Sequence, residues 1–233
     1  MSLITQDRGM DRAAVEQVVR EVVRQRLGRP RPAASPSGAP AGARPELRVN
    51  ISARHMHITQ HDLETLFGPG AKLTVFRPLY QDGYFASEQM VTIIGPRHRT
   101  ITNLRILGPC RPENQIELAF TDGVAMGIDL PVRMSGNIKD TPGCIVLGPK
   151  GYIEMKEGVI RAMRHVHLNP DEAAYYNVGD GDLMKLHVEG DCGMTIEGVI
   201  ARIAKGLKLE VHLDTDEGNA CNLTGAKRVE LIK

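Results

Sequence analysis

The chain has 233 residues, a formal net charge of +1, 24 % charged residues and 42 % hydrophobic ones. Such a length suits one or two soluble domains, and basic residues spread along a near-neutral chain exclude nucleic acid as the main partner. No run of about eighteen apolar residues occurs and the N-terminus lacks an apolar signal region, so neither a membrane span nor secretion is expected. The four cysteines, Cys110, Cys144, Cys192 and Cys221, stand far apart without a Cys-x-x-Cys pair. That fits a reducing cytoplasm and argues against a zinc ribbon or a disulfide framework. With no Trp and 24 Gly, the core must be mostly aliphatic and tight turns frequent.

Residues 1–28 carry an amphipathic pattern. Val15, Val18, Val19, Val22, Val23 and Leu27 recur between Met10 and Gly28 at the spacing of one α-helical stripe. Residues 29–45 hold Pro30, Pro32, Pro36, Pro40 and Pro45 among Ala, Ser and Gly and read as a flexible linker. A tethered helix cannot bury its stripe in a core of its own, so it is expected to dock onto a partner assembly. A helix folded back on the body and a homo-oligomeric coiled coil are the alternatives. The Val-rich face has no Trp or Phe anchor, which argues against membrane binding.

Residues 46–233 form the folded body. β-rich runs lie at Leu47–Ile51, Leu73–Phe76, Met90–Ile94, Thr100–Leu107, Ile116–Phe120, Leu183–Val188, Met194–Ile203, Lys208–Leu213 and Lys227–Ile232, the spacing of barrels or sandwiches. Short helices are predicted at Gln60–Leu66 and Pro170–Tyr176, behind the capping residues Thr59 and Asn169. An internal repeat is visible: Arg54-His55-Met56-His57-Ile58-Thr59 and Arg164-His165-Val166-His167-Leu168-Asn169, about 110 residues apart, each lead into a short helix. Two related β units facing one another, with a site where they meet, follow from it.

Residues i and i+2 of a strand share a face, so His55 and His57 aim two imidazoles at one point, as do His165 and His167. One His-x-His arises often by chance. Two copies in the same local frame, in a chain with 8 His, point to a metal site. His212 in the alternating run Leu209–Leu213, ahead of the polar loop Asp214–Ala220, is a further ligand candidate. Glu117 in an apolar run is another, although an exposed strand face is the simpler reading there. His61, His98 and His187 lack such context and read as surface or structural. The turn Gly108-Pro109-Cys110-Arg111-Pro112 sets Arg111 between two strands, and a guanidinium fork matches phosphate. The turns at Ser135-Gly136-Asn137 and Gly148–Gly151 read as ordinary. No Walker A motif, nucleophile elbow or His-Glu-x-x-His motif occurs. The residues by themselves give a β-rich protein with a multi-histidine metal site beside an anion, and no named reaction.

The body resembles the PduL-type phosphate acyltransferases, the phosphotransacylases of bacterial microcompartments, over nearly all of Glu46–Lys233. The resemblance is carried by Val49-Asn50-Ile51-Ser52-Ala53-Arg54-His55-Met56-His57, by Gly108–Pro112 with Gln115 and Glu117, and by Met134-Ser135-Gly136. It continues in Arg164–His167 with Asn177-Val178-Gly179-Asp180-Gly181-Asp182, and in Val211–Ala220. It implies a mainly β fold of two β-barrel domains with short helices, roughly 46–85 with 165–233 and 86–164, and an active site between them. The implied reaction is reversible: acyl-CoA + phosphate = acyl phosphate + CoA, for propanoyl or acetyl. Two Zn²⁺ per subunit are implied, one on His55, His57 and Glu117, the other on His165, His167 and His212. Arg111 would hold phosphate, while Asn50, Ile51, Ser52 and Asn219 would help hold CoA. The N-terminal helix and linker resemble an encapsulation peptide. That implies contact of residues 10–28 with cargo or shell proteins, in the lumen of a cytoplasmic microcompartment. A homo-oligomer is expected for the body.

This chemistry is physically coherent, because zinc suits a departing thiolate and phosphate is already a nucleophile at neutral pH. Direct attack of phosphate on the thioester carbonyl is the expected route. Two rivals share the metal site: a zinc hydrolase of thioesters or phosphoesters, which would use water, and a β scaffold whose metals are structural.

Overall fold

The computed structural model describes residues 44–52 and 54–233. The helix expected over residues 1–28 and nearly all of the linker expected over 29–45 lie outside them. Fifteen strands and four short α-helices follow one another as β1 (Arg48–Ile51), β2 (His55–His57), α1 (Gln60–Phe67), β3 (Val75–Pro78), β4 (Phe85–Ile94), β5 (Thr100–Gly108), β6 (Gln115–Glu117), α2 (Phe120–Met126), β7 (Val132–Arg133), β8 (Cys144–Leu147), β9 (Tyr152–Met155), β10 (Val159–Ala162), β11 (His165–Leu168), α3 (Pro170–Tyr176), β12 (Leu183–Glu189), β13 (Met194–Ile203), β14 (Glu210–Leu213), α4 (Thr215–Ala220) and β15 (Arg228–Ile232). The fold is mainly β, built on two curled sheets. One runs β1-β14-β11-β13-β12-β15, the other β7-β10-β6-β2-β5-β4-β8-β9 with β3 added on β4.

Alternation sets the strand faces. β12 buries Met184, Leu186 and Val188 and exposes the residues between them, the period-2 pattern of a sheet covered on one side. Each sheet closes on its own aliphatic core. Met56, Leu63, Ile93, Leu104, Ile106 and Ile116 fill one; Val166, Met184, Leu186, Val199, Val211 and Leu213 fill the other. The two predicted helices are present and capped as their sequences require. Thr59 accepts from Asp62 N at α1, and Asn169 accepts from Asp171 N and Glu172 N at α3 while Glu172 accepts from Asn169 N.

Two further helices replace expected features. α2 takes over the end of the run Ile116–Phe120, and α4 occupies the stretch read as the loop Asp214–Ala220. Side-chain caps explain both. Asp122 accepts from Ala119 N. Asp214 and Glu217 exchange backbone–carboxylate bonds of 2.8 and 3.0 Å across the first turn of α4. Strand pairing distributes residues 46–85 over both sheets. β1 alone of that segment pairs with the C-terminal strands, whereas β2 and β3 belong to the nine-stranded sheet. A short crossover between Ile51 and His55 sends the chain from one sheet to the other.

The repeat extends well beyond the histidine pairs. β2 runs parallel to β5 and antiparallel to β6; β11 runs parallel to β13 and antiparallel to β14. His55 sits opposite Glu117, and His165 sits opposite His212. β1 lies on β14 with Asn50 beside His212, as β10 lies on β6 with Ile160 beside Glu117. Each copy therefore lends its first strand to the other copy's sheet. The loan ties the two sheets into one body and brings the two histidine strands together.

Candidate active site

The first donor set comprises His55 and His57 from β2 and Glu117 from β6. Their ligating atoms all lie within 4.8 Å of one another, and the residues are 7, 4 and 7 % exposed. The imidazole rings meet edge to face at 4.9 Å. Glu117 is buried, not on an exposed strand face as its sequence alone suggested. One of its oxygens accepts from Gln115 Nε2 at 2.7 Å, and the other lies 3.5 Å from His55 Nε2.

The second set comprises His165 and His167 from β11 and His212 from β14, equally close-knit and half-buried. Ring centroids are 4.6 to 4.9 Å apart. His165 Nδ1 lies 2.8 Å from Met163 O. A carbonyl only accepts, so Nδ1 carries the proton and Nε2 the lone pair. His212 Nδ1 lies 2.9 Å from Ser52 Oγ, an oriented hydroxyl from the exchanged strand. His167 Nδ1 and His212 Nε2 are buried without a hydrogen-bond partner, although Glu210 Oε2 comes to 3.2 Å of the latter.

Burial keeps His57, His165 and His167 neutral. Desolvation, then the charge of His55 and Arg111, pulls His57 down to about 2. Desolvation, then neighbouring His212, pulls His165 down to about 4 and His167 down to about 2. A neutral imidazole with an unsatisfied buried nitrogen is a metal ligand in waiting. Three protein donors per set, all nitrogen or oxygen and none sulfur, are also what a catalytic zinc-type site with an open position uses. Both sets therefore fit a divalent metal. Glu117 of the first set and His165 and His212 of the second line one small cavity of about 20 Å³, with Ser52 and Ala162 at its sides.

Arg111 stands half-buried beside the first set, its backbone N–H donating to Ile58 O at 2.9 Å. Ser135, read from sequence as part of an ordinary turn, lies 3.4 Å from the Arg111 guanidinium and accepts from Gln115 Nε2 at 2.8 Å. Gln115 in turn accepts from Gly136 N at 2.7 Å, so this turn braces Glu117. Of the residues the resemblance links to CoA, Ser52 is committed to His212. Asn50 is exposed, Ile51 packs against Gly218, and Asn219 is exposed on the adjacent turn of α4.

Sequence reasoning missed Arg202 and Glu210. Arg202 is half-buried on β13 directly beside His167. It adds positive charge that depresses both His165 and His167 and reaches as far as Arg111. Glu210 is 6 % exposed, sits opposite His167 and accepts from Gln81 Nε2 at 3.0 Å. Each could have been found as a charged residue between buried neighbours on the face that carries the histidines.

A family model described as phosphate propanoyltransferase matches residues 48–224. A phosphate propanoyltransferase of Planctopirus limnophila is 58 % identical over 188 residues, 80 % of this chain and 77 % of the relative. That of Thermotoga maritima is 43 % identical over 81 % of this chain and 90 % of its own length. The Salmonella typhimurium protein of the same name is 41 % identical over 74 % and 81 %. The chain belongs to the phosphate propanoyltransferase family.

Proposed function

We propose that the chain catalyses reversible transfer of a short acyl group, propanoyl or acetyl, between CoA and phosphate, with two zinc-type ions. His55, His57 and Glu117 would hold one ion, and His165, His167 and His212 the other. The observation that carries this reading is the pair of three-donor sets, of which Glu117, His165 and His212 line one small cavity and the first stands beside Arg111, in a chain of this family. A metal at those donors supplies Lewis acidity for the thioester carbonyl and a partner for the departing sulfur.

The protein's own groups do the rest. The half-buried guanidinium of Arg111, flanked by the Ser135 hydroxyl, receives phosphate and aims one of its oxygens. Arg202 adds positive charge on the other side. A phosphate oxygen attacks the carbonyl carbon, the carbon–sulfur bond breaks, and CoA leaves as thiolate. No strong general base is required, consistent with imidazoles kept neutral by burial. Direct attack is also favoured by the cysteines. Burial pushes the Cys144 thiol up to about 12 and raises Cys110 and Cys221, so these thiols are poor candidates for carrying the acyl group.

Residues 10–28, ahead of the Pro-rich segment 29–45, serve as the encapsulation peptide of a microcompartment enzyme. No helix of the described residues is long and apolar enough to cross a membrane.

The test follows CoA release from propanoyl-CoA and acetyl-CoA, with and without phosphate, before and after metal stripping. The expected result is release that needs both phosphate and metal and is lost in His55→Ala and His165→Ala. Release without phosphate would convert the reading to a hydrolase. No release from metal-loaded protein would leave a structural metal site.

A further inference from the structure

A second, larger cavity of about 610 Å³ opens beside α2, and none of the six donor residues lines it. Arg54, Arg97 and Arg99 project into it around a single carboxylate, Asp122. Two of the arginines are pre-positioned by the protein. Arg54 pairs with the buried Asp122 at 2.7 and 2.9 Å, and Arg97 donates to Val124 O at 2.7 Å. Arg99, exposed, has no partner among the described residues. Asp122 is already shared between Arg54 and the cap of α2, so the cleft keeps excess positive charge. Thr100 and Thr102 add hydroxyls, and Ile101 and Met126 give it an apolar wall.

The internal repeat serves as a control for whether the fold needs these charges. Thr100–Thr102 at the start of β5 are matched by Thr195–Glu197 of β13, because Ile93 pairs with Ile101 as Leu186 pairs with Ile196. Arg54 is matched by Arg164, and Asp122 by Glu217, an ion pair of 2.7 Å in each copy. The turns differ. Residues 95–99 read Gly-Pro-Arg-His-Arg, whereas 189–193 read Glu-Gly-Asp-Cys-Gly. In the second copy Arg164 also donates to Glu197 O. The same scaffold thus stands without the arginine turn.

We propose that this cleft binds the phosphorylated adenosine end of a nucleotide, with Arg54, Arg97 and Arg99 on phosphate oxygens and Ile101 and Met126 beneath the base or sugar. Two sources carry that chemistry: CoA, if the proposed acyltransferase function holds, and a free nucleotide. A volume of this size is in the range of small-ligand sites.

The test is calorimetric titration of the full chain with adenosine 3′,5′-bisphosphate and with adenosine. Wild type should bind the bisphosphate saturably, more weakly as salt rises, and adenosine far less well. Arg99→Gln, which removes no protein contact, should weaken binding about tenfold, and Arg97→Gln with Arg99→Gln further. No saturable binding by wild type, or unchanged binding by a double variant of native melting temperature, overturns the proposal. Arg99→Gln alone decides the matter if the double variant is unstable. Kinetics then separate the sources. A raised KM for acyl-CoA, with turnover of acyl-pantetheine unchanged, assigns the cleft to CoA. An unchanged KM alongside lost bisphosphate binding assigns it to a free nucleotide. Failure of the acyltransferase reading shows as no acyl-pantetheine turnover in wild type, a result independent of the titration.

Discussion

Thr121 donates to Asp216 twice, through its backbone N–H at 3.0 Å and its hydroxyl at 2.6 Å. The two residues occupy the same place in the two copies of the repeat, the second position of α2 and of α4. The pseudo-two-fold axis of the body therefore passes between them. Around that axis Arg161, from the strand lent to the first sheet, reaches Asp214 and Glu217 of the second, and its guanidinium covers the Phe120 ring at 4.5 Å. Glu117 and His212 are equivalent positions that differ in charge. With equal divalent ions, the carboxylate-containing set is one unit less positive than the all-histidine set, so a symmetric scaffold yields two chemically unlike centres.

Thr121→Val removes both the hydroxyl donor and the fit at the axis while leaving each core untouched. The unfolding free energy should drop by about 1–2 kcal/mol, as for a hydrogen bond to a charged acceptor, with an unchanged urea m-value. A loss below the noise of the urea curve would mean that the remaining backbone N–H bond to Asp216 and the Arg161 ion pairs suffice to hold the axis.

Ser52→Ala deletes the oxygen that fixes His212 through Nδ1. Metal affinity of the His165–His167–His212 set should fall by about tenfold, the usual effect of losing an outer hydrogen-bond partner, while the His55–His57–Glu117 set keeps its own. Competition titration with a chelator resolves the two steps. A higher KM for acyl-CoA with both metal steps intact would instead return Ser52 to the CoA-binding role its motif suggests.

The parts of this site that could be read from sequence are those whose side-chain chemistry is rare and whose spacing is local. The two His-x-His strands and their capped helices are of this kind, because strand alternation and an Asn or Thr cap act within a few residues. Glu117 was ambiguous because burial depends on β2 and β10 packing on either side of β6, which only the tertiary fold supplies. Arg202 and Glu210 were passed over because their neighbours His167 and Gln81 are far away in sequence, and strand alternation was the one local hint of them. α2 and α4 were missed because their caps depend on Asp122 and Glu217, acids that read equally well as loop residues. Strand exchange left no local mark, so which sheet each strand of residues 46–85 joins was not legible in the sequence.

Acid should destabilise the metal-free protein. Burial first, and nearby positive charge second, hold His57 and His167 at about 2 and His165 at about 4, whereas in the unfolded chain each titrates near 6.5. Between those values the unfolded state takes up protons that the native state refuses, so stability is greatest above about pH 6.5 and falls as pH is lowered. Each histidine contributes up to about 1.4 kcal/mol per pH unit across the window. Urea midpoints at pH 7.5, 6 and 5 should drop progressively, and equal midpoints would show that these imidazoles are not buried and neutral.

Arg111→Lys tests whether phosphate is held by a fork or by a point charge. Lysine keeps the positive charge beside Glu117 and His57 but loses the paired, planar donors that match two phosphate oxygens. The backbone bond to Ile58 O is unaffected by the substitution, so the turn after β5 should keep its shape. The KM for phosphate should rise by about tenfold and the KM for acyl-CoA by less than about twofold, since an ammonium cannot reproduce the paired, charge-assisted contacts of the guanidinium. Arg111→Ala should raise the phosphate KM further and lower kcat, because phosphate would then be neither neutralised nor aimed on that side. If both substitutions move only the KM for acyl-CoA, Arg111 faces the CoA phosphates, and Arg202, beside His167, becomes the group that receives the attacking phosphate.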